Sequence, residues 1–345
     1  MMRAMVKTEP GPGGVEIRSV PTPQAGAGEV LLRVVAAGIC GTDMQIYHWA
    51  PRMARRMSLP RVLGHEVCGV IEALGSGVRG LAVGQRVALE SHIFCGQCRQ
   101  CRLGQAHLCN ALQYPGIDIE GGFAERVSVP AQIAVPVPDA LADTTVAMLE
   151  PFGIAVHASM AGDGVAGRRV LINGCGPIGL MNVAAARALG AQLVIAADPN
   201  PKRLQMALEM GADRGLDPGE HHVANVVRDM TGGYGVDVVC EYTGSPVGFD
   251  TAVAALAKGA SLRLVGGPAH PHKIDLTYWL ANGLSVHAIH GRRLFEDWEH
   301  AFELLASSRV DLAPLASHVL PLEDAVRGFE LVIQGDALKP LIVPA

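Results

Sequence analysis

One short glycine motif constrains the fold of this chain more than any other feature. The segment RRVLIN (168–173) is typical of a buried strand, and Gly174, Gly176 and Gly179 follow it in G-x-G-x-x-G spacing. In such a motif the glycines permit a tight turn, close approach of a pyrophosphate, and close packing of helix on strand. An Ala-rich helix is predicted next, and the strand after it ends at Asp198. This context predicts a doubly wound parallel sheet that binds a dinucleotide.

The acidic residue after the second strand bears on which dinucleotide is bound. A carboxylate at this place accepts a hydrogen bond from the ribose 2′-OH and repels a 2′-phosphate, so Asp198 favours NAD over NADP. Arg203, one turn into the next helix, instead favours NADP, because an arginine can bind the 2′-phosphate. The competing interpretation is a glycine-rich turn in an α/β domain that binds no ligand.

Two kinds of segment divide the 345 residues into domains. The first 150 residues or so contain short Val-rich segments bounded by Gly and Pro, which predict a mostly β domain. From about residue 155, strands alternate with helices, which predicts βαβ units and a parallel sheet. The tail contains two amphipathic helices and a last strand at 339–345. We therefore predict an α/β domain at 155–291, inserted into a mostly β domain at 1–154 and 292–345.

Four of the eight cysteines lie close together in the sequence CGQCRQCRLGQAHLC, as Cys95, Cys98, Cys101 and Cys109. Four thiolates suit a structural Zn²⁺ with tetrahedral geometry and no position left for substrate. An iron–sulfur cluster also uses C-x2-C-x2-C, but its fourth cysteine follows after three residues rather than seven. A thiol switch is the remaining alternative. We predict a zinc lobe at about 90–112.

Charge and hydropathy exclude several classes of partner. The net charge of -5 gives no electrostatic attraction to nucleic acid or to anionic membranes. The sequence has no apolar run of about 18 residues, the length that a membrane-spanning helix needs. The first residues, MMRAMVKTEPGPGG, lack the apolar centre of a secretory signal. These features, with the tight cysteine spacing, predict a cytoplasmic protein that binds neither nucleic acid nor membranes.

Three separated segments offer a second set of metal ligands. GICGTD (38–43) supplies Cys40, GHE (64–66) supplies His65 and Glu66, and LEPFGIAVH (149–157) supplies Glu150. A thiolate, an imidazole and carboxylates can hold a catalytic zinc with one position open for water or substrate. Spacing alone does not show that these segments meet, and each residue also has an ordinary packing role.

These motifs resemble those of the zinc-dependent medium-chain dehydrogenase/reductases. CGTD, GHE, the cysteine lobe, EPFG and GCGPIG occur in the order of that family, over nearly the whole chain. The resemblance implies a GroES-like catalytic domain with an inserted Rossmann domain, NAD, and two zinc ions per chain, one catalytic and one structural. Within the family the chain is most similar to the L-threonine 3-dehydrogenase branch, whose members are tetramers. Sorbitol-type and butanediol-type dehydrogenases share most of the zinc motifs.

The resemblance also implies a role for each matching residue. Cys40, His65 and Glu66 would ligate or flank the catalytic zinc, with Glu150 as an exchangeable fourth group that leaves when the substrate oxygen binds. Asp43 would orient His65 through its other ring nitrogen, and Thr42 would carry the proton. The implied cofactor contacts, beyond the three glycines, are Ile178, Asp198, Arg203, Val265, Gly266, Gly267, Ile289 and His290.

The implied reaction oxidises L-threonine to 2-amino-3-oxobutanoate, with hydride transfer from a zinc-bound alkoxide to NAD. One departure weakens that choice of substrate: the histidine expected three residues after Thr42 is Gln45, which does not titrate near neutral pH. We consider His48 as a substitute relay and His92 as a residue of the substrate pocket; an exposed loop histidine and a strand-end histidine are the alternatives. A polyol or vicinal diol is the second candidate substrate.

Self-association is expected as well. The segment LSVHAIHG (284–291) is predicted to be an edge strand of the parallel sheet, where it can pair with its copy across a twofold axis. With the resemblance, this predicts a homotetramer.

Overall fold

The computed structural model describes residues 1–268 and 270–344, which fold into two compact units. The first unit consists of Met1–Pro151 and Leu312–Ala345, and the second of Phe152–Asp311. The second unit, with a parallel sheet, is inserted into the first, which is mostly β, so the predicted fold class is confirmed. Ala345, the end of the predicted last strand, lies outside the described residues.

Short strands dominate the chain before the insertion. They are β1 (Met2–Lys7), β2 (Val15–Val20), β3 (Glu29–Gly38), β4 (Arg61–Val62), β5 (Glu66–Leu74), β6 (Arg86–Leu89), β7 (Arg126–Pro130) and β8 (Ala134–Pro136). The helices of this part are α1 (Gly41–Tyr47), α2 (Pro51–Ala54), α3 (Arg99–Arg102), α4 (Asp143–Ala147) and α5 (Leu149–Met160), which contains the unit boundary. Single 3₁₀ turns lie at Ala106–Leu108 and Ala131–Ile133.

Strands and helices alternate in the second unit. The strands are β9 (Arg169–Asn173), β10 (Leu193–Ala197), β11 (Arg214–Leu216), β12 (Val236–Glu241), β13 (Leu256–Leu264) and β14 (Ser285–Ala288). The helices are α6 (Pro177–Ala188), α7 (Pro201–Glu209), α8 (Val223–Met230), α9 (Pro246–Ala255), α10 (Leu276–Asn282) and α11 (Glu296–Ala306). The chain then returns to the first unit with β15 (His318–Pro321), α12 (Ala325–Gln334) and β16 (Pro340–Val343), and with 3₁₀ turns at Ala313–Leu315 and Leu322–Asp324. Within the described residues, no helix is long and apolar enough to cross a bilayer.

A seven-stranded sheet forms the centre of the first unit, in the order β15-β16-β3-β5-β6-β8 with β7 also paired to β3. Residues alternate along β3: Val30, Leu32 and Val34 are buried in the core, whereas Arg33 between them is exposed. This alternation is what a sheet with one face on a hydrophobic core requires. A second, three-stranded sheet has the order β2-β1-β4.

The register of the central strands places three turns at one end of this sheet. Gly38, the last residue of β3, lies opposite Glu66 at the start of β5 and opposite Leu341 near the start of β16. The segments just after β3, just before β5 and just before β16 therefore meet. They contain Cys40, His65 and Lys339.

The second unit contains a parallel sheet with the strand order β11-β10-β9-β12-β13-β14. The order reverses between β9 and β12, and such a reversal opens a crevice at the carboxyl ends of the two strands. Helix α9 ends at Ala255, because Leu256 already begins β13. Val239, Leu262 and their buried neighbours form the core.

The return to the first unit comes at Asp311/Leu312 rather than at the predicted 291/292. The reason lies in α11, which packs within the second unit. Oδ2 of its buried Asp297 lies 3.9 Å from Nδ1 of His157, which is in the part of α5 that belongs to the second unit. The amphipathic pattern of this helix does not show which core it covers.

Candidate active site and metal centres

The turns at the end of the central sheet bring together a set of metal-binding side chains. Cys40 is the N-cap of α1, His65 precedes β5 and Glu66 opens it. One donor atom from each of the three residues lies within 4.8 Å of the other two. His65 and Glu66 are buried, and Cys40 is half-buried. A thiolate, an imidazole and a carboxylate at this separation are a donor set that fits Zn²⁺.

Asp43 lies next to two members of this group, Cys40 and His65. It is fully buried, and its Oδ2 accepts a hydrogen bond from the backbone N–H of Cys40 at 2.8 Å. Its Oδ1 lies 3.8 Å from Nδ1 of His65, and neither atom has a hydrogen-bond partner among the described residues. A small rotation of the ring would join them, which is the arrangement that orients a metal-binding histidine.

The charges of this group also affect its protonation. Burial raises the pKa of Asp43 to about 6, although the nearby His65 opposes the shift. Burial disfavours the charged form of His65, but Asp43 and Cys40 outweigh it and raise the pKa of the imidazole. A metal binds the neutral imidazole, so a proton on His65 would compete with a metal at this group.

A lysine that was not predicted from the sequence contacts the third donor, Glu66. The Lys339 ammonium donates to both carboxylate oxygens of Glu66 at 2.8 Å and to the carbonyl oxygen of Ile39 at 3.0 Å. Lys339 and Glu66 are 273 positions apart in the sequence, and no local pattern relates them. Only the pairing of β16 and β5 with β3 brings them together.

Glu150, the predicted exchangeable ligand, stands beside the group but outside it. It is buried, and its Oε1 accepts a hydrogen bond from the Ser91 hydroxyl at 2.6 Å. Its negative charge contributes to the raised pKa of His65. Ser91 was not predicted, and its position beside the predicted pocket residue His92 is the only sequence feature that indicates it.

His92 has a buried acidic partner of its own. Its Nδ1 and its backbone N–H both lie 2.7 Å from Oε1 of Glu90, and its ring meets Tyr114 edge-on with centroids 5.1 Å apart. Because a carboxylate accepts and cannot donate, Nδ1 carries the proton. The ring is therefore fixed in one orientation, as a residue that lines a pocket needs to be.

The predicted proton-relay residues lie along α1. Thr42 is half-buried in its first turn, whereas Gln45 is exposed. His48 is the exposed C-cap residue, and its ring contacts Tyr47 edge-on. Six residues of helix place His48 about 120° around the axis from Thr42, so a relay between the two would need Gln45 as an intermediate. No hydrogen bond joins His48 to Thr42 within the described part of the chain, and the relay stays a prediction.

The four cysteines of the lobe form a compact cluster. The sulfurs of Cys98 and Cys101 are 3.5 Å apart, those of Cys95 and Cys109 are 3.5 Å apart, and those of Cys98 and Cys109 are 3.9 Å apart. Tetrahedral Zn²⁺ with Zn–S bonds of about 2.3 Å requires sulfurs about 3.8 Å apart. The lobe thus has the geometry of a structural zinc site.

Backbone N–H groups donate hydrogen bonds to the sulfurs of this cluster. The backbone N–H of Cys98 donates to the sulfur of Cys95, and those of Cys95 and Ala111 donate to the sulfur of Cys109. Hydrogen bonds from Cys101 and Asn110 lower the pKa of Cys98 to about 6. Desolvation and the neighbouring thiols raise the pKa of Cys101 to about 12, so that metal binding must release its proton.

In the second unit, the glycine turn has the geometry that the motif predicts. Gly174 has a φ of +97°, in the region that favours glycine. A Cβ on Gly179 would lie 1.9 Å from the carbonyl oxygen of Gly174, whereas a Cβ on Gly176 would meet nothing within 4 Å. The first and third glycines are thus required by the turn itself, and the second faces open space at the start of α6, where a phosphate can approach the helix N-terminus.

Asp198 lies beside this turn at the end of β10. It is buried, with Oδ2 accepting from the backbone N–H of Cys175 at 2.8 Å and Oδ1 accepting from that of Asn200 at 2.9 Å. Nη1 of Arg203 is 3.7 Å from Oδ2. The carboxylate thus has a fixed position, and Arg203 is paired with it.

The other predicted cofactor residues follow the carboxyl ends of the strands. Ile178 is in the first turn of α6, Val265–Gly267 follow β13, and Ile289 and His290 follow β14. Glu241, the buried last residue of β12, was not predicted as a site residue; it accepts hydrogen bonds from Asn173 and Thr243. An acidic residue at the end of a predicted parallel strand was the signal that could have identified it.

Comparisons with known proteins agree with this architecture. Residues 26–139 match the model for the alcohol dehydrogenase GroES-like domain, and residues 177–307 match the model for zinc-binding dehydrogenases. The chain is 39% identical over 344 residues to L-threonine 3-dehydrogenase of Bacillus subtilis (strain 168), which covers 99% of each chain.

Solved structures of the same fold are also similar over the full length. The 2R,3R-butanediol dehydrogenase of Bacillus subtilis superimposes with a TM-score of 0.90 at 27% identity and covers 100% of both chains. A protein from Sinorhizobium meliloti 1021, solved with NADP bound, has a TM-score of 0.90 at 29% identity and covers 100% of this chain and 99% of the other.

Proposed function

The chain belongs to the zinc-dependent medium-chain dehydrogenase/reductase family and is an alcohol dehydrogenase, and we propose L-threonine, oxidised at C3, as its substrate. The observation that carries the chemistry is the convergence of Cys40, His65 and Glu66 from separate segments into one group of metal donors. The full-length identity to a threonine dehydrogenase supports the choice of substrate. The product would be 2-amino-3-oxobutanoate.

In this proposal the residues of the first unit bind and deprotonate the alcohol. A zinc ion in this group supplies Lewis acidity, which lowers the pKa of the substrate hydroxyl. Asp43 keeps His65 in a fixed orientation, and the hydroxyl of Thr42 accepts the substrate proton and donates its own onward. Glu150, which accepts a hydrogen bond from Ser91, would be the exchangeable carboxylate that leaves the metal when the substrate binds.

The residues of the second unit bind the nicotinamide cofactor that accepts the hydride. We propose NAD rather than NADP, because the fixed carboxylate of Asp198 would repel a 2′-phosphate and Arg203 is already paired with it. The NADP-bound relative makes this a choice to be tested. Comparing KM for the two cofactors tests it directly; a lower KM for NADP would contradict it.

We further propose two zinc ions per chain, a homotetramer and a cytoplasmic location. The second zinc is supported by the sulfur geometry of the cysteine lobe. Self-association is supported by β14, which forms an edge of the parallel sheet and leaves Val286 half exposed. No disulfide joins any of the eight cysteines, all of which lie in the described residues, as a reducing compartment requires.

A polyol or vicinal diol is the second candidate substrate. It is favoured by the structural similarity to 2R,3R-butanediol dehydrogenase and by the exposed Gln45 at the expected relay position. In this alternative the catalytic group is unchanged, and only the pocket selects a different alcohol.

A substrate panel distinguishes the two candidates. Zinc-loaded protein is assayed for NADH formation with L-threonine, 2,3-butanediol, sorbitol and other polyols at matched concentrations. We expect the highest kcat/KM with L-threonine. A polyol or diol that is oxidised as efficiently as threonine would replace it as the proposed substrate.

A further inference from the structure

A buried carboxylate in the second unit connects two turns of the parallel sheet through its side chain. Glu241, the last residue of β12, is 1% exposed. Its Oε1 accepts hydrogen bonds from the backbone N–H groups of Thr243 at 2.7 Å and Gly244 at 3.2 Å, and from the Thr243 hydroxyl. Its Oε2 accepts from Nδ2 of Asn173, the last residue of β9. The side chain therefore ties the turn after β12 to the strand that leads into the glycine turn.

The backbone of Glu241 connects a third turn to these two. Its carbonyl oxygen accepts hydrogen bonds from the N–H groups of Val265 at 3.0 Å and Gly266 at 2.8 Å, in the turn after β13. The next residue, Tyr242, donates from its backbone N–H to the carbonyl oxygen of Asn173 at 2.8 Å. The turns after β9, β12 and β13 are thus connected at Glu241, and they contain several of the proposed cofactor contacts.

These turns pack backbone against backbone. A Cβ on Gly174 would lie 3.1 Å from the backbone nitrogen of Thr243, and a Cβ on Gly266 would lie 2.7 Å from the backbone nitrogen of Gly244. Because glycines contribute no side chain at these contacts, the spacing of the turns depends on hydrogen bonds. Those of Glu241 reach all three turns.

The charge of Glu241 makes these connections strong. Burial raises the pKa of its carboxyl group, and the hydrogen bonds from Thr243 and Asn173 oppose that shift because they stabilise the carboxylate. Hydrogen bonds to a charged acceptor are stronger than those between neutral groups. Turns whose geometry is already fixed lose less conformational freedom when a ligand binds, so the ligand binds more tightly.

A second acidic residue on the same strand differs from Glu241 in its position. Asp237, near the start of β12, accepts hydrogen bonds from the backbone N–H and the guanidinium of Arg169, the first residue of β9. Asp237 therefore ties β12 to β9 at their amino ends, as Glu241 does at their carboxyl ends. Ligands of open α/β sheets bind beyond the carboxyl ends of the strands. Of these two carboxylates, Glu241 is the one placed to affect binding.

We propose that Glu241 is a positioning residue that holds the turns after β9, β12 and β13 in the arrangement that binds the dinucleotide. It acts through these turns and through Asn173. This inference rests on the proposed binding of a nicotinamide cofactor by the second unit.

Amide hydrogen exchange and NADH binding test the proposal on the full-length protein. Glu241→Gln keeps the size of the side chain, but its amide group places donors opposite the donors of Asn173 and Thr243. We expect faster exchange at residues 242–246 and 264–267 in the cofactor-free variant. We also expect a Kd for NADH about tenfold higher, as for the loss of one hydrogen bond to a charged group. Asp237→Asn, the matched control, should lower the unfolding temperature and leave both the Kd and the exchange of these turns unchanged.

A second substitution tests the connection between the strands. Asn173→Ala removes the donor to Glu241 and should also raise the Kd for NADH about tenfold. The double variant Glu241→Gln/Asn173→Ala should bind NADH no more weakly than the weaker single variant, because both substitutions break the same connection.

Three results would overturn the inference. The first is wild-type exchange at the turns of Glu241→Gln, and the second is faster exchange with a wild-type Kd. The third is a double variant whose Kd is raised by the product of the two single effects. If Glu241→Gln does not fold, Asn173→Ala decides alone, and an unchanged Kd in that variant would overturn the proposal. A wild-type protein that bound neither NADH nor NADPH would instead refute the proposed cofactor site itself.

Discussion

At the scale of single residues, the proposed function depends on how much space surrounds particular atoms. The glycine turn is the clearest case, because a methyl group has opposite consequences at two of its positions. At Gly179 a Cβ would collide with the carbonyl oxygen of Gly174, but at Gly176 it would enter open space, where we propose that the cofactor binds. The two substitutions separate the stability of the turn from its binding function.

We predict that Gly179→Ala destabilises the protein by about 1–3 kcal/mol, the usual effect of overpacking, and also weakens cofactor binding. Gly176→Ala, the matched control, should unfold at the wild-type temperature but bind NADH more weakly, because its methyl group meets the pyrophosphate. Thermal unfolding and a fluorescence titration with NADH measure the two effects. Equal losses of stability in both variants would contradict this account of the turn.

A second residue-scale prediction concerns Arg263 in β13. It is 1% exposed, and its Nε and Nη1 have no hydrogen-bond partner among the residues described. Burial lowers the pKa of this guanidinium. Because a buried unpaired charge opposes folding, we expect Arg263→Met to increase the free energy of unfolding by about 1–4 kcal/mol.

Arg169→Met serves as the control for that substitution. Arg169 binds Asp237 through two side-chain nitrogens, at 2.7 and 3.0 Å, so its replacement should destabilise the protein. Urea unfolding of the two variants gives both values. A loss of stability in Arg263→Met would mean that its guanidinium is compensated.

At the scale of elements, the strands and helices with strong patterns were predictable, whereas the contacts between distant ones were not. The glycine motif predicted β9, α6 and β10 because each glycine has a local steric task. Lys339 could not be predicted, since its role depends on the register of three strands far apart in the sequence. The boundary between α9 and β13 also depends on a distant contact, because Leu256 belongs to β13 through its pairing with Val236 of β12.

The cysteine lobe is the element that depends most on its metal. Between Cys95 and Cys109 the chain forms only α3, a helix of four residues, and one 3₁₀ turn. With so little hydrophobic core, the proposed zinc would supply most of the stability of the lobe. We predict that removal of zinc increases amide hydrogen exchange across residues 95–111 and leaves β3 and β5 protected.

Hydrogen exchange with mass spectrometry before and after chelation checks this prediction. Cys68→Ser, which changes a buried cysteine outside the lobe, is the control and should leave the lobe unaffected. Unchanged exchange in the lobe after verified loss of zinc would contradict the structural role.

At the scale of the whole molecule, the proposed assembly depends on β14, a strand at the edge of the parallel sheet. β14 and β15 are both edge strands, and each presents a half-exposed valine, Val286 and Val319. The sequence predicted the insertion of one unit into the other, but not that α11 belongs with the second unit, because an amphipathic pattern identifies a buried face without its partner.

We predict that Val286→Lys reduces the mass of the assembly, because a lysine on an edge strand opposes pairing with a copy. Val319→Lys is the matched control and should leave the mass unchanged. Light scattering coupled to gel filtration measures both. If neither substitution, or only Val319→Lys, changed the mass, self-association through β14 would be excluded.

The central claim is that Cys40 and His65 hold a catalytic metal distinct from the metal of the cysteine lobe. The most direct measurement is the zinc content of Cys40→Ala beside that of the wild type, with threonine-dependent NADH formation recorded on the same samples. We predict two zinc ions per chain in the wild type, and one zinc with loss of NADH formation in the variant. A variant that kept both zinc ions, or lost one and still oxidised threonine at the wild-type rate, would contradict the claim.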